Sequence, residues 1–368
     1  MPTAVLRRTV AGLFMVGISG PRLDRETRAF LAEHPAGGLV LFRRNVRSAG
    51  QVRELAAALH ETGAGLPPLV AIDHEGGRVQ RLGPPFTHFP PMAALGAAAD
   101  GELAEAVGRA MGRELAAVGI DVDFAPVLDV CSNPRNAVIG DRAFGRSPRA
   151  VARTALPFAR GLLGGGVIPC GKHFPGHGDT VGDSHLVLPR VRHDRARLRR
   201  VELAPFAAAI RDGIPALMTA HVVYPALDRS RPATLSAAIA TELLRRRLGF
   251  RGVLFSDDMH MNAVAGHHPP ERSAVAALLA GCDMLLFCQS LEVARQAMVG
   301  VERAVERGTL PAERVTEALG RIQQLRRLVG GRRAPRGADA RLAWPAHARL
   351  RARLVAHAAA VASSAAAG

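Results

Sequence analysis

The chain has 368 residues, a net charge of +16 and 48% hydrophobic residues, enough for one large domain or two ordinary ones with a sizeable core. The charge favours acidic partners. It is almost all Arg and widely scattered, in short runs such as Arg195–Arg200 and Arg245–Arg247, without the concentrated stripe or motif that nucleic-acid binding needs. One Trp, one Tyr and 13 Phe leave few aromatic faces for stacking along a polymer, so a short ligand held by polar contacts is expected. The four cysteines, Cys131, Cys170, Cys282 and Cys288, show no CxxC spacing, which points to free thiols in a reducing compartment.

Near the N-terminus, Arg7-Arg8 precede the apolar run Val10–Ile18. The run is short for a signal peptide, and Gly20-Pro21 leads into a charged, helix-like segment, so a first core strand is expected. No other segment is long enough to span a membrane. Apolar runs then recur at Gly12–Ile18, Gly38–Phe42, Leu69–Asp73, Val122–Pro126, Val167–Lys172, Ala216–His221, Gly252–Asp257 and Asp283–Phe287. Amphipathic stretches lie between most of them: Asp24–Glu33, Ala49–Thr62, Gly101–Val118, Pro148–Leu163, Arg195–Asp212, Ala237–Leu248 and Glu271–Ala280. Leu291–Arg307 and Pro311–Leu328 follow. Strands buried on both faces read as continuous apolar runs, and eight of them alternating with helices predict a (β/α)8 TIM barrel. A doubly wound open sheet is the alternative, because periodicity does not show closure. The barrel is assigned to residues 1–330 as a single domain. Residues 331–368 form an Ala/Arg-rich extension, part helix and part frayed, with a helix expected over Arg349–Val361.

Polar residues close five of these runs: Asp73, Asp129, Lys172 with His173, His221 and Asp257. A barrel gathers its strand C-termini at one mouth, where catalytic groups collect. After Asp73, Gly76-Gly77 permits a tight turn. His74-Glu75 begins like the zinc-protease pattern HExxH, but position 78 is Arg, so that reading fails. Asp73 can accept hydrogen bonds from a polar ligand or pair with Arg78 or Arg81. Arg142, within Gly140–Gly145, is a candidate donor into the mouth or a structural ion-pair partner.

Lys172 is the sole lysine against 47 arginines. A lone Lys suggests a site for a compact ammonium where a planar guanidinium would not fit. Glycines and a proline make Lys172–His185 a shaped loop. His173, His177, Asp183 and His185 together resemble a metal-ligand set, but lack the helical one-turn spacing of the usual two-His zinc motif, so no metal is assigned. Asp183 beside His185 is an acid/base dyad in outline; Ser184 lacks a nucleophile elbow. Asp257, ending a buried run, can supply a nucleophilic carboxylate. Asp258 should point the other way and cap the next helix or bond within its loop.

Four motifs, Ile72–Arg81, Gly140–Gly145, Lys172–Asp179 with Asp183–His185, and Ser256–Met259, together resemble glycoside hydrolase family 3, most closely its bacterial single-domain β-N-acetylhexosaminidases of cell-wall recycling. The resemblance runs from about Gly12 to about Leu328 with the motifs in order. It implies a cytoplasmic (β/α)8 enzyme without cofactor, monomeric, removing terminal β-linked N-acetylglucosamine from peptidoglycan fragments ending in 1,6-anhydro-N-acetylmuramic acid. It makes Asp257 the nucleophile and His185 the acid/base, assisted by Asp183. Asp73, Arg81, Arg142, Lys172 and His173 would hold the sugar. His74 departs from the frequent Gln at that position. The basic surface would suit muropeptide carboxylates. A phosphorylase on the same scaffold and a non-catalytic sugar- or nucleic-acid-binding protein are the alternatives.

Overall fold

The structure, a computed structural model, describes residues 3–63, 66–181, 188–330 and 344–366, with side chains up to residue 359. Eight parallel strands close a barrel in the order β1 (Phe14–Gly17), β2 (Gly38–Leu41), β3 (Leu69–Ile72), β6 (Val122–Asp123), β7 (Ile168–Phe174), β8 (Ala216–Thr219), β9 (Val253–Asp258) and β10 (Met284–Phe287), which returns to β1. Each falls within or overlaps a predicted run. The closing pairs Phe14–Leu285 and Val16–Phe287 exclude the open sheet. The apolar runs are buried because helices cover their outer faces and the barrel interior fills with side chains, including Phe124 and Phe255 in edge contact at 5.5 Å.

Helix starts follow local chemistry. Asp24, Ser48, Asp100, Ser147 and Ser290 each accept a backbone N–H in the first turn of the following helix, satisfying donors that have no intrahelical partner. Helix Pro148–Gly165 ends at Gly166, whose φ of 100° is in the left-handed region.

Several elements differ from expectation. Ala4–Ala11 is a helix capped by Thr3, so the Arg7-Arg8 pair is helical and β1 begins only at Phe14. The expected helix Arg195–Asp212 is two, Arg195–Arg200 and Ala204–Arg211. Pro205 stands at the start of the second, where its missing N–H costs nothing. The long connection after β3 folds into a hairpin of β4 (His74–Gly76) and β5 (Val79–Gln80). Gly76 and Gly77 make its turn at φ 94° and 57°, a conformation that side chains disfavour. Beyond the barrel, helix Pro345–Ala366 packs on helices Ala93–Ala98 and Gly101–Ala116. Leu354 is buried there, and His347 Nδ1 lies 2.8 Å from buried Glu114.

Acids at the strand starts brace the opposite end of the barrel. Asp121 accepts from the Val70 amide and pairs with His60, both at 2.8 Å. Asp283 takes Arg245, Arg314, Arg321 and the Leu254 amide. Polar groups on that face serve stability.

Candidate active site

The strand C-termini surround a cavity of about 630 Å³, within the range that holds small-molecule ligands. Asp73, Arg81, Arg142, Lys172, His173 and Asp257, all singled out from sequence, line it. Asp183 and His185 lie outside the described residues.

Lys172, on β7, is 2% exposed. Its Nζ lies 2.6 Å from Asp73 Oδ1 at the end of β3 and 2.6 Å from Glu75 Oε1 on β4. Glu75 also accepts two parallel bonds from Arg142 Nε and a terminal nitrogen of the same guanidinium, each 2.8 Å, the bidentate geometry specific to Arg. Arg142 thus serves first as an ion-pair partner, and its other terminal nitrogen donates to the Val138 carbonyl. Burial alone would raise the Glu75 carboxyl, but the Arg142 guanidinium and the Lys172 ammonium hold it well below the usual carboxylate range. Burial alone would lower Lys172; Asp73 and Glu75 raise it instead. The four side chains, Asp73, Glu75, Lys172 and Arg142, therefore form a charge-balanced cluster. Burial pushes the nearby Asp123 carboxyl well up, against the amide bond it accepts from His74.

Arg81 approaches Asp73 Oδ2 at 3.8 Å, and its buried Nε has no hydrogen-bond partner among the described residues. The alternative pairing of Asp73 with Arg78 does not form. Arg78 donates to Asp141 and to the carbonyls of Ala137, Val138 and Ile139, fastening the hairpin to the 137–142 loop.

His173 is oriented by Asp129, whose Oδ2 lies 2.6 Å from its Nδ1. Asp129 is fully buried and also accepts the His177 amide at 2.6 Å. Burial would raise the Asp129 carboxyl, but His173 and the bonds it accepts lower it. His177, buried near His173, is pushed down to about 4 by desolvation first and then by that neighbour. Gly178 lets this loop press against Val130, whose carbonyl oxygen a Cβ would meet at 1.8 Å.

Asp257 and Asp258 both line the cavity, although strict alternation predicts only one. The β9–β10 register shifts between Met284 and Leu286, and such an irregularity re-aims side chains at a strand end. The two still differ in use. Asp258 Oδ1 accepts the amides of His260 and Cys288, each at 3.1 Å. Asp257 Oδ1 accepts the adjacent Asp258 amide at 2.8 Å, its one hydrogen bond among the described residues. His221 is a buried brace, with Nε2 3.0 Å from the Asp258 carbonyl and Nδ1 2.7 Å from Thr234 Oγ1.

Glu75 is the residue that sequence reasoning passed over. Its signal was present, since an acid two residues after a strand-ending Asp lies beside that Asp if the chain turns back as a hairpin. The described residues contain no group of three or more His, Cys, Asp or Glu arranged to hold a metal ion.

Residues 5–325 match the family described as the glycosyl hydrolase family 3 N terminal domain. The chain is 46% identical over 291 residues to a beta-hexosaminidase of Chromobacterium violaceum, covering 77% of this chain and 80% of that one. It superposes with a TM-score of 0.93 and 39% identity on a glycoside hydrolase family 3 beta-N-acetylglucosaminidase from Paenibacillus sp. str. FPU-7, covering 96% of this chain and 68% of that one. On NagZ from Neisseria gonorrhoeae in complex with N-trifluoroacetyl-D-glucosamine, the TM-score is 0.78 at 36% identity, covering 94% and 98%.

Proposed function

The chain belongs to glycosyl hydrolase family 3 and is a glycoside hydrolase; we propose that it is a retaining exo-β-N-acetylglucosaminidase working through a covalent glycosyl–Asp257 intermediate. Its substrates are peptidoglycan fragments, above all GlcNAc-1,6-anhydro-MurNAc muropeptides. The observation that supports this reading best is the convergence on one cavity of Asp257 with Asp73, Arg81, Arg142, Lys172 and His173. One carboxylate with few partners among the described residues faces a dense set of donors and acceptors suited to sugar hydroxyls.

In this mechanism Asp257 attacks the anomeric carbon as the bond to the leaving oxygen breaks, and His185, steadied by Asp183, protonates that oxygen. Then His185 takes a proton from water, the water oxygen bonds to the anomeric carbon, and the ester to Asp257 breaks. Lys172 donates to a hydroxyl and steadies the negative charge of Asp73 and Glu75. His173, fixed through Nδ1, offers Nε2 to the sugar. The catalytic unit is residues 1–330, with 331–368 an extension. The protein acts as a monomer without cofactor in the cytoplasm, where Cys170, Cys282 and Cys288 persist as buried free thiols.

Turnover of a chromogenic β-N-acetylglucosaminide, with Asp257→Ala and His185→Ala as controls, tests the reading. A trapped glycosyl-enzyme should map by peptide mass to the segment bearing Asp257. Unchanged turnover in both variants would sink the mechanism. Loss in His173→Ala with retention in His185→Ala would move the proton-transfer role to the His173–Asp129 pair.

A further inference from the structure

The helix Pro345–Ala366 lies outside the barrel, yet it reaches the chain that backs the β4–β5 hairpin. Two of its residues make the contact. His347 is 4% exposed, and its Nδ1 lies 2.8 Å from Glu114 Oε1. One turn further on, Arg351 donates from Nε to the His88 carbonyl at 2.9 Å. The spacing of i and i+4 puts both on one face of the helix.

Their partners converge on three consecutive residues, Thr87, His88 and Phe89. Glu114, on the helix Gly101–Ala116, accepts the Thr87 amide at 2.8 Å and the Thr87 hydroxyl at 2.6 Å. The three carbonyls then alternate in partner, the pattern of extended chain. The Thr87 carbonyl accepts Gln80 Nε2 at 3.1 Å, and the Phe89 carbonyl accepts the Gly77 amide at 2.9 Å. Both donors belong to the hairpin. The His88 carbonyl between them takes Arg351. A Cβ at Gly77 would meet Pro91 Cα at 2.7 Å, so this strip lies flush against the hairpin turn.

The hairpin is part of the cavity wall. β4 carries Glu75, which takes Lys172 at 2.6 Å and Arg142 at 2.8 Å. β5 leads into Arg81, which lines the cavity near Asp73. The two strands are only three and two residues long. So short a pairing holds little shape alone and depends on what it rests against. A misplacement of ~1 Å caused far from the chemistry can cost about 10²-fold, so the backing strip bears on the site as well as on stability.

We propose that His347 and Arg351 are positioning residues for sugar binding. Through Glu114 and the 87–89 strip they hold the hairpin so that Glu75 and Arg81 keep their places in the cavity. Neither is among the described residues that line it, so they act at one remove. This rests on the β-N-acetylglucosaminidase reading above. It makes the C-terminal helix a working part of the site as well as a cover on the barrel.

The test measures KM and kcat of the full chain on a chromogenic β-N-acetylglucosaminide, at a temperature where each variant is folded by circular dichroism. Arg351 is exposed, so Arg351→Ala should fold even if His347→Ala does not. Each should raise KM about fivefold and leave kcat within about twofold of wild type. Arg351→Lys should recover part of the loss, and so should His347→Asn, whose amide nitrogen can stand where Nδ1 stood. Gln80→Ala, which cuts the link from Thr87 to the hairpin, should raise KM too. Combined with His347→Ala it should cost less than the product of the two single effects. Wild-type KM in both alanine variants of the helix, whatever the change in melting temperature, overturns the positioning role and leaves the glycosidase reading standing. So does full multiplication of the Gln80 and His347 effects. No turnover of the glucosaminide by the wild type overturns both.

Discussion

The ammonium of Lys172 lies 2.6 Å from the carboxylate of Glu75, and each side chain is 2% exposed. A buried charge pair of this kind is costly to break from either side, because the survivor is left unpaired in a poor solvent. Glu75 also holds Arg142, so one carboxylate fixes two of the cationic groups expected to meet the sugar.

Glu75→Gln therefore removes the carboxylate that Lys172 and Arg142 share, and leaves Lys172 its contact with Asp73. Unfolding by denaturant should show a loss of about 3 kcal/mol. Binding of N-acetylglucosamine should weaken as well, measured by competitive inhibition. A variant as stable and as active as wild type would remove Glu75 from the site.

Lys172→Arg tests the meaning of the lone lysine. The buried position between Asp73 and Glu75 suits a compact ammonium, and a planar guanidinium would disturb both contacts. We expect at least a tenfold loss in kcat/KM together with about 1–3 kcal/mol of overpacking. The full burial of Lys172 adds this stability cost to the binding defect expected from sequence. Normal kinetics would make the lysine's isolation incidental.

Asp257 and Asp258 should separate by readout. Asp257→Asn should lower kcat by a thousandfold or more, on the order seen when a nucleophile is removed, with little change in melting temperature. Asp258→Asn weakens the acceptor of two backbone amides and should cost about 1–2 kcal/mol of stability. If Asp258→Asn were the inactive, stable variant, the two roles would be exchanged.

The site should lose stability on acidification. Desolvation lowers His177 from 6.5 to about 4 and His74 from 6.5 to about 3, so protonation favours the unfolded chain. No penalty exists above pH 6.5. It grows as pH falls below that value and is complete for His177 below about 4. Glu75 and Asp129, both held low, act in the same direction at lower pH. Unfolding free energies measured between pH 7 and pH 4 should fall, and His177→Gln should flatten part of that slope. A flat wild-type profile would contradict the buried, neutral imidazoles.

The C-terminal helix should contribute to the stability of the barrel. His347→Ala leaves Glu114, 2% exposed, without its imidazole partner although Thr87 still donates to it. We expect a loss of about 2–3 kcal/mol, read from thermal and denaturant unfolding. An unchanged transition would show that the helix adds nothing to the folded unit.

Much of the fold was legible because burial on both faces writes itself into a strand as a continuous apolar run, and those runs named all eight barrel strands. The acids and cations at their ends were legible too, since a polar group has little reason to follow such a run unless it reaches a shared mouth. The break at Val201–Leu203 was not, because both halves keep helical periodicity and only packing decides where the chain bends. Nor was the use of each strand-end residue. His221 and Asp257 look alike in sequence, but tertiary contacts consume both nitrogens of His221, while among the described residues Asp257 accepts a single neighbouring amide. The sequence by itself determined the eight buried strands alternating with helices, because these follow from local composition and periodicity, while closure of the barrel rests on the pairing of β1 with β10. Only the tertiary structure decided that Glu75 joins Lys172 to Arg142, because charge pairing depends on distances between segments that lie far apart along the chain.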